Sequence, residues 1–214
     1  SGPVRPAAFP PFQEAVLANG IQLVLVENHA QPVVSMSLSL PAGGRYDPAG
    51  REGLADMVAG LLTRGAGSRP ADEISAAIEG VGGSLSASAG AEFLTLRATT
   101  LTPDAALAFG LMADAVIRPT FADSELALLR TQTLSGLQLE LSQPSSLASR
   151  YLAQAVYGSH PYGRSSTPAS VRAITRDDLR LGHRACRCPG GALLVIAGRI
   201  DAAGDLVQQR LVIV

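Results

Sequence analysis

The sequence predicts an α+β fold, a mostly antiparallel sheet with helices packed on one face. Three observations carry that expectation. Polar and apolar residues alternate with the period of a strand over residues 33–40 and 84–89. Apolar residues recur with the period of a helix at Leu54, Met57, Val58, Leu61 and Leu62. The order of elements is strand, strand, helix, helix, hairpin, several helices and a last apolar strand, so strands and helices do not alternate one for one.

Taken along the chain, Asn19-Gly20 is a hairpin turn signal, and residues 21–27 after it form a β-branched, apolar strand. Residues 33–40 read Val-Val-Ser-Met-Ser-Leu-Ser-Leu, a strand with one buried face. A Gly/Pro-rich loop over 41–53 leads into the first helix. Residues 70–80 predict a second helix, ended by Gly82-Gly83. Residues 84–89 and 92–100 pair as a hairpin. Helices follow over 103–117, over 123–140 with Asp123 as the expected N-cap, over 145–156 and over 175–184. The continuous apolar run at 191–197 reads as a buried strand.

A chain of 214 residues, 47% of them hydrophobic and 16% charged, is long enough to bury a core and too apolar to be disordered. The formal charge of -1 and the lack of any basic run exclude the electrostatic footprint of a nucleic-acid binder. All 17 basic residues are arginine. Without a lysine there is no Walker phosphate-binding lysine, no Schiff base and no Ser-Lys dyad. No apolar run is long enough to span a bilayer, so no transmembrane segment is expected. The Pro/Ala-rich opening, residues 1–13, reads as an extended leader of an exported, periplasmic bacterial chain or as an expression scar. Residues 14–214 read as one domain.

Cys186 and Cys188 are too close to bridge each other comfortably. With His183 they spell H-x-x-C-x-C, which lacks the fourth ligand of a structural zinc site. No G-x-S-x-G elbow is present, and Ser84, Ser86 and Ser88 read as a solvated strand face rather than as nucleophiles. Glu92 and Glu140 read as surface charges, and Tyr162 as a ring packed on its own loop.

Six stretches in this order resemble the pitrilysin/insulinase-type zinc metallopeptidases: NGIQLVLVEN (19–28), PAGGRYDPAGREGLADMVAGLLTRG (41–65), GGSLSASAGAEFLTL (82–96), HPYGR (160–164), ITRDDL (174–179) and LLVIAGRID (193–201). The resemblance implies a fold like one domain of mitochondrial processing peptidase. Active members carry H-x-x-E-H on the first helix, two histidines for zinc and a glutamate that activates water. Aligned on Gly53-Leu54-Ala55, the first histidine falls at Asp56, the glutamate at Ala59 and the second histidine at Gly60. The third ligand, a glutamate on the helix before HPYGR, falls at Gly136. A catalytic zinc takes three protein ligands and an open position, and these positions supply one oxygen donor between them.

The resemblance therefore implies that residues 14–214 are the N-terminal half of a longer chain, a non-catalytic subunit that forms half of a peptide-holding chamber. Zinc is expected in a homologous partner subunit and no cofactor here; a homodimer is the other arrangement. Family members hold substrate as an added strand at a sheet edge near the zinc helix, and Gly83, Ser84, Leu85, Ser86, Ala87, Ser88 and Ala89 occupy that strand here. An edge kept harmless by small polar residues is the plainer reading of the same stretch. The alternatives for the whole chain are a zinc-dependent endopeptidase with displaced ligands and a free-standing peptide-binding protein.

Overall fold

The alternation at 33–40 becomes the strand β3 (Val33–Leu40), and it pairs in antiparallel register with β5 (Leu94–Leu101) so that the apolar positions of both fall on one face. Val34, Met36, Leu38 and Leu40 are buried there beside Leu94, Leu96 and Ala98. Each large aliphatic side chain so buried contributes about 1.5–3 kcal/mol. The opposite face is polar: Ser35 meets Thr99 at 3.4 Å and Ser39 meets Thr95 at 3.3 Å through their hydroxyls.

The computed structural model describes residues 10–186 and 190–199. The other strands are β1 (Gln13–Val16), β2 (Gln22–Glu27), β4 (Ser84–Ala89) and β6 (Leu193–Gly198), and the sheet runs in the order β1-β2-β6-β3-β5-β4. Every pairing is antiparallel except β2 with β6, which is parallel. The late apolar run thus inserts between two strands from the start of the chain, which explains why it shows no polar alternation. The Asn19-Gly20 turn joins β1 to β2, with Gly20 at φ 88 and the Asn19 side chain accepting from the Ile21 N–H at 3.2 Å. β1 was not anticipated, and it begins at Gln13, inside the expected leader; its four residues are all exposed and give no periodic signal.

The helices are α1 (Leu54–Leu62), α2 (Ala71–Glu79), α3 (Ala105–Ile117), α4 (Asp123–Leu141), α5 (Pro144–Tyr157), α6 (Pro168–Ala173) and α7 (Arg176–Cys186). α1 and α3 lie on the apolar face of the sheet, and α4 and α7 pack on α1. Asp123 is the first residue of α4 rather than its cap; Ala122 holds the cap position without a side-chain bond, and Asp123 acts through the helix dipole. α6 is an unanticipated short helix, closed by a reciprocal capping box between Thr167 and Ser170.

α7 docks through a carboxylate that serves two elements. Asp178 accepts from the Thr175 N–H at 2.8 Å and from the Arg51 Nε at 3.0 Å. Partial burial pulls this carboxyl up, but the bonds from Thr175 and Arg51 prevail and hold it below its usual value. His183 is a core residue: it is buried, its Nε2 donates to the Val116 carbonyl at 2.6 Å, and its ring meets Phe121 edge-on at 5.6 Å. The Cys186 thiol donates to the Gly182 carbonyl at 3.0 Å. The H-x-x-C-x-C residues described thus face the protein interior, and Cys188 lies outside the described residues, as do Leu211 and Val214 at the chain end.

Candidate functional site: a cleft between α1 and the edge strand

α1 starts without a capping side chain of its own. Gly53 holds the N-cap position at φ 98, a left-handed conformation that suits glycine. The first N–H groups of the helix are met from outside it: Asp47 accepts from Gly53 at 2.8 Å and from Ala55 at 2.9 Å. Asp47 is buried, and that burial raises its carboxyl above the usual value although the Gly53 and Ala55 N–H groups and the Arg164 charge oppose the rise. Arg164 of the HPYGR stretch donates to the Asp47 and Arg45 carbonyls at 3.1 and 3.4 Å, which ties the loop before α1 to the loop after α5.

The apolar stripe of α1 is buried as its spacing requires, and Ala59 is buried with it at 1% exposure. Asp56 points the other way. α4 runs antiparallel across α1: Leu129 reaches Gly60, and the Thr133 hydroxyl donates to the Met57 sulfur at 3.7 Å. A β-carbon on Gly60 would meet the Leu129 Cδ2 at 2.9 Å. Gly136, one turn further along α4, has open space where its side chain would be.

Among the described residues β4 lies at the edge of the sheet and pairs with β5 alone. Leu85, Ala87 and Ala89 turn towards the core while Ser84, Ser86 and Ser88 are exposed. Gly83 precedes the strand, where a β-carbon would stand 2.9 Å from both the Ile78 Cδ1 and the Thr99 carbonyl oxygen. The turn from β4 to β5 is clamped by the loop before α1: the N–H groups of Gly43, Gly44 and Arg45 donate to the carbonyls of Glu92, Gly90 and Ala91 at 2.9–3.0 Å. Gly43 is needed there, since a β-carbon would come within 2.4 Å of two of those oxygens.

Between these parts lies a cleft of ≈ 350 Å³. Asp56 and Ala89 are both on its wall, with Gly90, Tyr162 and Arg164. The Tyr162 ring is held edge-on by Tyr157 at 5.6 Å and by His160 at 4.7 Å, so it packs on its own loop as expected. Asp56 keeps one side open to solvent, while the cleft walls desolvate the rest; together with the negative charge of Asp47 this pushes its carboxyl up to about 6. The Asp56 carboxylate makes no hydrogen bond or ion pair with the described residues.

The structure thus brings Asp56 and the end of the edge strand to one cleft, and leaves Ala59 in the core, Gly60 beneath Leu129 and Gly136 on the neighbouring helix. Their donor set does not fit a catalytic zinc, which takes three protein ligands where these residues offer one carboxylate. Among the described residues no three His, Cys, Asp or Glu side chains converge as a metal site. Sequence reasoning missed Asp47 and Arg164. Arg164 stood in HPYGR unweighed, whereas the only local sign of Asp47 was a carboxylate just upstream of an uncapped helix start.

A model of the insulinase family, peptidase family M16, matches residues 22–168. An uncharacterized zinc protease of Mycobacterium tuberculosis is 29% identical over 211 residues, 97% of this chain and 48% of that protein. The crystal structure of a peptidase M16 inactive domain from Pseudomonas fluorescens superposes with a TM-score of 0.87 at 24% identity, over 95% of this chain and 50% of that one. The periplasmic protease PqqL from Escherichia coli superposes with a TM-score of 0.83 at 15% identity, over 96% of this chain and 24% of its own. The chain spans about half the length of the curated relatives it matches. With the family model covering most of a sheet-and-helix arrangement that these structures share, the chain belongs to the insulinase family, peptidase family M16.

Proposed function

We propose that this domain is a non-catalytic member of an M16 peptidase assembly, forming half of a chamber that holds extended peptide. The observation that carries the reading is the single donor, Asp56, at the four positions where the family places its zinc ligands and its water-activating glutamate. Loss of one ligand leaves a repairable site. Loss of two ligands and of the water-activating glutamate, with Leu129 packed over Gly60, leaves a helix free to serve as a wall.

The zinc belongs in this reading to a homologous partner subunit with an intact H-x-x-E-H, or the chain pairs with its own copy. The domain is one half of a longer chain, in keeping with its span of about half of its relatives. The open edge of β4 offers unpaired backbone groups to a peptide added as a strand, and the small side chains at Ser84, Ser86 and Ser88 leave room for it. An exported, periplasmic location is in keeping with the likeness to PqqL. No helix among the described residues is long and apolar enough to cross a membrane.

Co-expression with an H-x-x-E-H homologue from the same source tests the reading. The two chains are expected to co-purify, and chelator-sensitive peptide cleavage is expected from the mixture and to depend on the partner's glutamate. Full activity of that homologue alone, with no association, would remove the subunit reading.

A further inference from the structure

An extended peptide added to β4 continues the alternation of the sheet, so every second side chain of that peptide points to the α1 side, as Leu85, Ala87 and Ala89 do. At the Ala89 end that side is the cleft that contains Asp56. The charges around the cleft are unevenly matched. Arg45 is paired with Glu92, and Arg164 lies against Asp47, whose carboxylate is already occupied by the N–H groups of α1. Glu52 accepts the Gly50 N–H with one oxygen. Among the described residues, Glu52 and Asp56 are the carboxylates on this wall without a counter-charge, and Asp56 is the one whose side chain accepts no hydrogen bond. A cationic side chain entering here gains a charge-assisted hydrogen bond to a carboxylate that stands exposed on the cleft wall.

We propose that Asp56 is a specificity determinant of the edge, selecting extended peptides that place an arginine or lysine side chain in the cleft beside Ala89. The inference rests on the peptide-holding reading of β4. It gives the position of the first zinc histidine a second use: a carboxylate there cannot assemble a metal site by itself, but it can recognise a cation. The recognised group is a side chain rather than a peptide amino terminus, because the strand direction carries side chains, not chain ends, to the α1 side.

The test compares N-acetylated peptides of small residues that contain one arginine with the same peptides containing citrulline, a neutral near-isostere, by fluorescence anisotropy on the 214-residue chain. The arginine peptide is expected to bind about tenfold more tightly. Asp56→Asn should remove that difference, whereas Asp56→Glu should keep it. Circular dichroism checks that both variants are folded. Equal binding of the two peptides to the wild-type chain, or a preference that survives in Asp56→Asn, overturns the specificity role while leaving the peptide-holding edge in place. A preference that needs a free amino terminus also overturns it. Absence of binding by either peptide overturns both readings together.

Discussion

Leu129 of α4 occupies the space beside Gly60 of α1, with its Cδ2 2.9 Å from where a β-carbon on the glycine would stand. The position that the family resemblance gives to the second zinc histidine is covered by an aliphatic side chain of the facing helix. A helix-interior glycine costs about 1 kcal/mol relative to alanine, and the leucine opposes recovery of that amount. Gly60→Ala is therefore expected to be close to neutral in the wild-type chain and to stabilise by about 1 kcal/mol once Leu129→Ala has opened the space. Urea unfolding of the four proteins in this cycle measures the coupling; the same effect of Gly60→Ala in both backgrounds would refute it.

Asp47 takes the place of an N-cap residue for α1, since Gly53 brings no side chain to that task. Removing the carboxylate leaves the Gly53 and Ala55 N–H groups without their partner in a buried setting. Asp47→Ala is expected to cost about 2 kcal/mol, which lowers Tm by about 6 °C in a chain of this size. A shift of less than about 1 °C in thermal unfolding would mean that water or another group caps the helix equally well.

The strands and the α1 stripe were legible because burial on one face imposes a period on the residues themselves. Val33–Leu40 and Ser84–Ala89 appear with the bounds the alternation gives. β1 was not legible, because Gln13, Glu14, Ala15 and Val16 are all exposed and its place is set by backbone pairing to β2. The parallel pairing of β2 with β6 joins residues from opposite ends of the chain, and nothing local encodes it. Within the site, the changed positions Asp56, Ala59, Gly60 and Gly136 could be counted from the motifs. The covering of Gly60 by Leu129 and the capping by Asp47 could not, since both are contacts between separate elements.

Two raised carboxyls give the fold a pH dependence of definite sign. Between about pH 4 and 6 the native chain still holds the Asp56 proton that the unfolded chain has released, so stability falls as pH rises through that window. The upward shift of Asp47 acts in the same sense, and the downward shift of Asp178 acts in the opposite one at lower pH. The charged and titratable groups on the walls around Asp56 are Asp47, Glu52, Arg45, Arg164, Tyr157 and Tyr162. Because Asp56 has an open side, the penalty it carries when ionised is modest. Asp56→Asn is expected to raise Tm by about 2 °C near pH 7.5 and to leave it unchanged near pH 3.5. An unchanged Tm at both values would place Asp56 in ordinary solvent.

Addition of a peptide strand at the open edge protects backbone amides of β4 from exchange. Hydrogen exchange with and without an extended peptide is expected to slow within Ser84–Ala89 and to leave the other edge, Gln13–Val16, as it was. Slowing confined to β1, or spread evenly over the sheet, would point to a different binding mode.

Metal content and peptidase activity of the purified chain, measured after incubation with zinc and dialysis, address the non-catalytic assignment most directly. No stoichiometric zinc is expected, and no cleavage that a chelator abolishes. One tightly held zinc per chain, accompanied by chelator-sensitive cleavage, would contradict it.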